Sequence, residues 1–213
     1  MKNDIANLRQ EYQRAELTKR SVDADPFAQF SLWFNEAVAA DVAEPSAMTL
    51  ATADSNGRTS SRIVLLKGLA SNGLVFFTNY ESTKGQDLAA NPQASLLFFW
   101  PDLERQIRID GMVEKVAEEE SDEYFASRPF ESRIGALASA QSSVLSSRDE
   151  LEERYARLLT EHSQGSVTRP ASWGGYLVKP LTWEFWQGRP SRLHDRIRYS
   201  KEDSSWKIER LSP

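Results

Sequence analysis

The sequence predicts a mainly β fold with peripheral helices, an antiparallel barrel that is closed or half closed. Three observations predict it. Short apolar and β-branched segments fill positions 47–116, two of them bounded by Asn-Gly steps. Helix formers are concentrated between about 118 and 162, and strand-like segments return from Trp173 onward. A run of antiparallel strands left open exposes unpaired edges, which closure removes.

Residues 1–20 place Ile5, Leu8 and Tyr12 at helical spacing among charges, which predicts a short amphipathic helix in a flexible N-terminal segment. Residues 21–213 are expected to form one domain. Asp25-Pro26 predicts an N-cap with proline at the first helical position, and Phe27, Phe30, Phe34 and Val38 mark an apolar face. Met48–Ala53 and Arg58–Lys67 flank Ser55-Asn56-Gly57, a hairpin signal, and a second Asn-Gly step at Asn72-Gly73 precedes Leu74–Thr78. A short helical stretch ends at Asn91-Pro92. Ala94–Trp100 and Glu104–Val116 then complete a meander of about five strands. The helical insertion at about 118–162 holds two or three helices, among them Glu118–Ser127 and Asp149–His162, the latter with Leu151, Tyr155, Leu158 and Leu159 on one face. Trp173–Val178, Thr182–Trp186, Arg196–Tyr199 and Trp206–Leu211 are read as the final strands.

Composition narrows the chemistry. The chain has 213 residues, 40% hydrophobic and 27% charged, with a net charge of −5, which argues against general affinity for nucleic acid. The absence of cysteine removes disulfides, thiolate nucleophiles and Cys-based metal sites, and two histidines are too few for a His cluster, so no metal is expected. No apolar stretch approaches the roughly 20 residues that span a bilayer, and the N-terminus lacks the apolar core of a secretory signal. A cytoplasmic protein with no membrane partner is expected. The G-x-G-x-x-G, Walker, G-x-S-x-G and H-E-x-x-H patterns are missing.

What remains is a set of cationic, hydroxyl and amide side chains at strand and helix ends: Arg62, Lys67, Thr78, Lys84, Gln106, Arg128, Ser132, Gln141, Ser142, Arg192, His194 and Arg196. Such donors suit phosphates and polar ring edges. Arg62 and Lys67 are five apart, so regular alternation aims them at opposite faces unless Lys67 leaves the pleat before Gly68. By spacing alone they read first as solvated cations. Arg128 with Tyr124 and Ser132 suits bidentate phosphate contact but alone is more often a surface cluster, and Gln141-Ser142 alone reads first as an ordinary helix cap. Trp183, Phe185 and Trp186 precede Arg189, Arg192, His194 and Arg196. Aromatic faces beside cations suit a flat anionic ligand, and a Trp-rich strand also suits a core.

Taken together, Arg62–Lys67, Phe77–Ser82, Glu104-Arg105-Gln106, Tyr124–Pro129, Trp173-Gly174-Gly175, Glu184–Gly188 and Arg192–Arg196 resemble the pyridoxine (pyridoxamine) 5′-phosphate oxidase family, in order and spacing, from about Arg9 to the end of the sequence. The resemblance implies an FMN-binding split β-barrel of antiparallel Greek-key type, working as a homodimer with FMN at the subunit interface. It assigns FMN to Arg62, Ile63, Val64, Leu65, Leu66, Lys67, Phe77, Thr78, Lys84 and Gln106, with Thr83 beside them, and to Gln141, Ser142, Trp186 and Arg196 from the partner subunit. It assigns the substrate phosphate to Lys67, Tyr124, Arg128 and Ser132. Arg192 and His194 are implied as the catalytic pair over the substrate ring, and Arg9 and Tyr12 would let residues 1–20 act as an active-site lid. The implied substrates are pyridoxine 5′-phosphate, pyridoxamine 5′-phosphate and O2. One departure stands out: the family commonly has a basic residue where this chain has Thr83. Another split-barrel FMN-dependent reductase, or a non-catalytic FMN or pyridoxal phosphate carrier, would share the phosphate anchors but need not combine Tyr124, Arg128, Ser132, Arg192 and His194.

Overall fold

The first helix, α1 (Pro26–Ala39), starts as its sequence dictates. The Asp25 carboxylate accepts from the Phe27 N–H, and Pro26 takes the first turn, where no N–H is needed. Its buried face is Pro26, Gln29, Phe30, Trp33 and Ala37. Val38, expected on that face, is instead 50% exposed, because the stripe runs through Trp33 and Ala37 at i+3 and i+7 from Phe30. Phe30 packs on Phe98 and Trp183, and Trp33 meets Phe185 edge-on at 5.3 Å. Full burial of each such ring contributes about 1.5–3 kcal/mol.

This computed structural model describes residues 11–162, 165 and 167–213. Ile5, Leu8 and Arg9 lie outside them. Residues 11–17 form no helix, so the expected amphipathic helix does not extend through Tyr12. After α1 come β1 (Ala47–Ala53), β2 (Thr59–Leu65), β3 (Gly68–Ala70), β4 (Gly73–Asn79), α2 (Thr83–Ala90), β5 (Gln93–Trp100) and β6 (Arg105–Lys115). Helices α3 (Glu118–Ser127), α4 (Phe130–Ala138) and α5 (Arg148–Glu161) follow, then β7 (Trp173–Gln187), β8 (Asp195–Glu202) and β9 (Ser205–Leu211). The β1–β2 turn is held by Asp54, whose Oδ1 accepts from the N–H groups of Asn56 and Arg58.

The strand order is β2-β1-β5-β6-β7-β4-β3, with β8 on β7 and β9 on β8. The expected meander is therefore corrected, because β4, besides its hairpin with β3, pairs antiparallel with β7 and not with β5, the next strand in sequence. Strand β4 is buried along almost its whole length and needs covered positions on both sides. The two strands expected over 173–186 are one strand, β7. It pairs with β4 through Val178 and with β8 from Thr182, and Pro180, which has no N–H to donate, falls between the two registers.

The chain divides into two compact units: residues up to Thr49 with Leu96–Asp110 and Pro180–Pro213, and Leu50–Ser95 with Gly111–Lys179. The first has a core of Phe30, Trp33, Phe98, Trp183, Phe185 and Tyr199. In the second, Phe125, Ile134, Val167 and Trp173 pack with Phe77, Tyr124 and Tyr155. Among the described residues no helix is long and apolar enough to cross a membrane.

Candidate active site

A cavity of about 670 Å³ lies within the second unit. Strand β2 ends at Leu65, and Lys67 leaves the pleat while its N–H donates to the Val75 carbonyl at 2.8 Å. That exit lets Arg62 and Lys67, five residues apart, line the same cavity together with Ile63, Val64 and Leu65. Phe77, Thr78, Thr83, Lys84, Tyr124, Arg128, Gln141, Ser142 and Trp173 complete the lining.

Arg62 is set from beneath. Its Nη1 donates to the Leu50 carbonyl at 3.2 Å and to Thr52 Oγ1 at 2.8 Å, and its Nη2 to Ser60 Oγ at 2.5 Å. Both hydroxyls in turn donate to Asp87, a buried carboxylate on α2 that lies 3.9 Å from the guanidinium. Lys84 follows the N-cap of the same helix, Ser82. The helix can begin this close to Tyr80 only because position 85 is glycine, since a Cβ there would lie 2.0 Å from the Tyr80 carbonyl oxygen. Lys84 Nζ donates to Thr78 Oγ1, Ser82 Oγ and Gln141 Oε1 at 3.1, 2.9 and 2.7 Å, all neutral acceptors. Burial, and then the charge of Arg62, lower its pKa to about 8. Burial lowers Arg62 as well, with Asp87 opposing. This pair is short of negative charge, a condition that an anionic ligand corrects.

An aromatic wall forms a second part of the lining. Phe77 stacks on Tyr124 with centroids 3.9 Å apart, and both rings lie nearly parallel to Trp173. Gly175 stands opposite Phe77 in the β4–β7 register, and a Cβ there would meet the Phe77 ring at 2.7 Å. The Arg128 guanidinium lies over Trp173, 4.8 Å from its centroid. Its Nη1 is buried and has no hydrogen-bond partner among the described residues. Burial lowers its pKa, with Tyr124 opposing.

The first unit holds the other predicted residues. Along β7, Trp183 and Phe185 point into the core, while Trp186 on the alternate face lies 4.6 Å from the His194 ring and 5.8 Å from Tyr12. His194 Nδ1 accepts from the Arg189 N–H at 3.1 Å, and burial followed by the Arg192 charge lowers its pKa. Arg192 is exposed, and it and Ser191 both adopt left-handed backbone, with φ of 61° and 54°. Arg196 is held by Glu184, with Nε–Oε1 at 2.8 Å and Nη2–Oε2 at 3.0 Å. Residues 12–17 are fastened along their backbone: Glu104 accepts from the N–H groups of Gln13 and Arg14, and Asp195 accepts from that of Leu17.

The cavity thus gathers Arg62, Ile63, Val64, Leu65, Lys67, Phe77, Thr78, Thr83, Lys84, Tyr124 and Arg128. Leu66, Gln106 and Ser132 do not line it, nor do Tyr12, Trp186, Arg192, His194 and Arg196. Gln141 and Ser142, expected from a partner subunit, line the cavity of their own chain, and Gln141 bonds directly to Lys84. The turn between α4 and α5 carries them there. Sequence reasoning passed over Trp173 as a lining residue and the carboxylates Asp87 and Glu184, which orient Arg62 and Arg196. The strict alternation of Trp183, Glu184, Phe185 and Trp186 was the available signal for Glu184. No local pattern marks Asp87, which meets Thr52 and Ser60 only through long-range pairing.

Residues 34–161 match the family model described as pyridoxamine 5′-phosphate oxidase, and residues 173–213 match that described as the pyridoxine 5′-phosphate oxidase C-terminal dimerisation region. The chain belongs to the pyridoxamine 5′-phosphate oxidase family. It is 58% identical over 212 residues to the pyridoxine/pyridoxamine 5′-phosphate oxidase of Burkholderia multivorans, covering 98% of this chain and 99% of that relative. It is 57% identical to the protein of the same name from Bordetella pertussis, again across 98% and 99% of the two chains. Among solved structures, PhzG from Burkholderia lata 383 in complex with tetrahydrophenazine-1-carboxylic acid superposes with a TM-score of 0.88 at 33% identity, over 93% of this chain and 98% of that one. A family-related FMN-binding protein from Nostoc punctiforme, 17% identical with a TM-score of 0.70 over 89% of this chain and 98% of its own, shares the fold. The split β-barrel of this family is the fold of the chain.

Proposed function

We propose that this protein is an FMN-dependent oxidase that converts pyridoxine 5′-phosphate or pyridoxamine 5′-phosphate to pyridoxal 5′-phosphate as a homodimer. The observation that carries the reading is the cavity with two cationic anchors, Arg62 with Lys84 and Lys67 with Arg128, beside an aromatic wall. Two flat phosphate-bearing molecules held face to face need two such anchors. The residues fit FMN: Lys84 has only neutral acceptors, and a phosphate placed there would supply the missing negative charge.

Arg62, Lys84, Thr78, Thr83, Gln141 and Ser142 would hold FMN, with the 63–67 segment and Phe77 along it. Lys67, Tyr124, Arg128 and Ser132 would take the substrate phosphate, and the unpaired Arg128 Nη1 suits an anionic oxygen. Trp186 and Arg196 of the partner subunit would complete the flavin site, and Gln106, which does not line the cavity, would contact the flavin beyond it. Arg192 and His194 orient the substrate ring. When bound, FMN would supply the two-electron chemistry, as acceptor at N5 for the hydride from C4′ and then as donor of the electrons that reduce O2 to H2O2. The alcohol leaves as the aldehyde, and the amine as an imine that water hydrolyses to it. The protein contributes alignment and charge.

The likeness to PhzG favours a second reading, a reduced tricyclic carboxylate as substrate. The higher identity to the pyridoxine/pyridoxamine 5′-phosphate oxidases ranks it below the first. The purified protein is expected to show a flavin spectrum that bleaches when pyridoxine 5′-phosphate is added without oxygen and recovers, with peroxide, when air is admitted. A flavin that stays oxidised with both pyridoxine and pyridoxamine 5′-phosphates overturns the proposal, and bleaching by a reduced phenazine carboxylate alone supports the second reading.

A further inference from the structure

We infer that the backbone amide of Arg189 fixes His194 as its Nε2–H tautomer, so that this side chain serves its site as a hydrogen-bond donor and not as the base that takes a proton from the substrate. The inference rests on the proposed meeting of His194 with the substrate ring. Its geometric part stands alone. The Arg189 N–H points at Nδ1 across 3.1 Å. A neutral imidazole has one ring nitrogen with a free lone pair and one that carries hydrogen. Nδ1 must be the bare nitrogen, because a proton there would set two donors against each other. Turning the ring over would put a C–H against the amide and leave the N–H without its acceptor.

The surroundings hold this orientation. The bond from Arg189 to His194 closes a loop whose middle residues, Ser191 and Arg192, are in left-handed backbone, and the Leu193 N–H completes it by donating to the Pro190 carbonyl at 3.1 Å. Trp186 at 4.6 Å and Tyr12 at 5.9 Å flank the ring. The lone pair that a general base needs is therefore turned inward and occupied, and the nitrogen left facing away from the loop carries a hydrogen. A substrate atom met by this ring is an acceptor, such as an oxyanion or a ring-nitrogen lone pair, and the proton released in the reaction leaves by another route.

The chain has two histidines, His162 and His194, so histidine labelled with 15N in the flavin-containing protein gives two imidazoles, and His162→Gln assigns them. Above about pH 8, where imidazole is neutral, His194 is expected to show a bare Nδ1 and a protonated Nε2. A protonated Nδ1, or the averaged pattern of a free imidazole, overturns the inference. His194→Asn supplies the second readout, because its Oδ1 can accept from the Arg189 N–H while the outward donor is gone. Flavin content and melting temperature are expected to hold while turnover of pyridoxine 5′-phosphate falls roughly 10-fold to 100-fold. Full turnover by His194→Asn would show that the ring only closes the loop, and would sink the donor role. If the unaltered protein turns over neither phosphate, the functional reading fails, and the NMR result still decides the tautomer.

Discussion

In the cavity, Lys84 is 8% exposed and has only neutral oxygens within hydrogen-bond reach. On β8, Arg196 has both oxygens of Glu184 on its nitrogens, and the same carboxylate lies 3.7 Å from Arg108. The cavity thus keeps a buried charge uncompensated, while the β7–β8 pair neutralises its own charges. Buried cations without counter-charge are costly unless an anion arrives. The loop before β8 differs again, because Arg192 is presented on left-handed backbone, which costs of order 1–3 kcal/mol per residue and persists where the surroundings hold it. The lesson is that one region leaves a buried cation open to an anion, while the other satisfies its charges within the chain and leaves Arg192 exposed.

Single substitutions can break that contrast. Arg192→Ala is expected to lower kcat by about 100-fold, the scale of a misaligned reactant, with bound flavin unchanged by its absorbance ratio. Loss of the flavin instead would merge the two roles. Lys84→Met is expected to do the converse, weakening FMN by about 10-fold to 100-fold, the loss of one charge-assisted bond worth roughly 1.5–3 kcal/mol. Fluorescence titration reads it, and unchanged FMN affinity would remove Lys84 from the anchor. Thr83→Arg adds a guanidinium to the lining, where FMN should bind about 10-fold more tightly. Equal or weaker binding than the present protein would refute that.

The smallest effect is a pH dependence. Lys84 is depressed from 10.5 to about 8, so in that window the unfolded chain holds more protons than the empty folded one. Empty protein should therefore gain stability as pH rises from about 8 toward 10.5, while FMN affinity falls a few-fold over the same range as the ammonium is lost. Melting curves and titrations of unaltered protein and Lys84→Met test this, since the variant should lose both trends.

Much of this was readable in the sequence, for reasons specific to each segment. The Asp25-Pro26 start, the Asn56-Gly57 turn and helix α3 depend on neighbours in the chain, and all three form where local chemistry puts them. The departure of Lys67 from the pleat was the stated condition for its sharing a face with Arg62, and it is met. The pairing of β4 with β7 was not legible, because Asn-Gly signals specify the next strand and say nothing of one about 95 residues later. The site divides the same way. Motif order named every lining residue but Trp173, together with several that lie elsewhere, and Gln141 was expected from a partner subunit because sequence carries no sign of which copy a side chain serves. Arg62 and Lys84 were legible as cations, and their supports, Asp87 beneath one and the neutral oxygens around the other, only in three dimensions.

Before any ligand arrives, the carboxylate of Asp87 already answers the charge of Arg62, and Lys84 can shed its proton near pH 8. The cluster of Arg62, Lys84 and Asp87 therefore carries one net positive charge below about pH 8 and none above it, so acidity alone sets how strongly this part of the lining draws an anion.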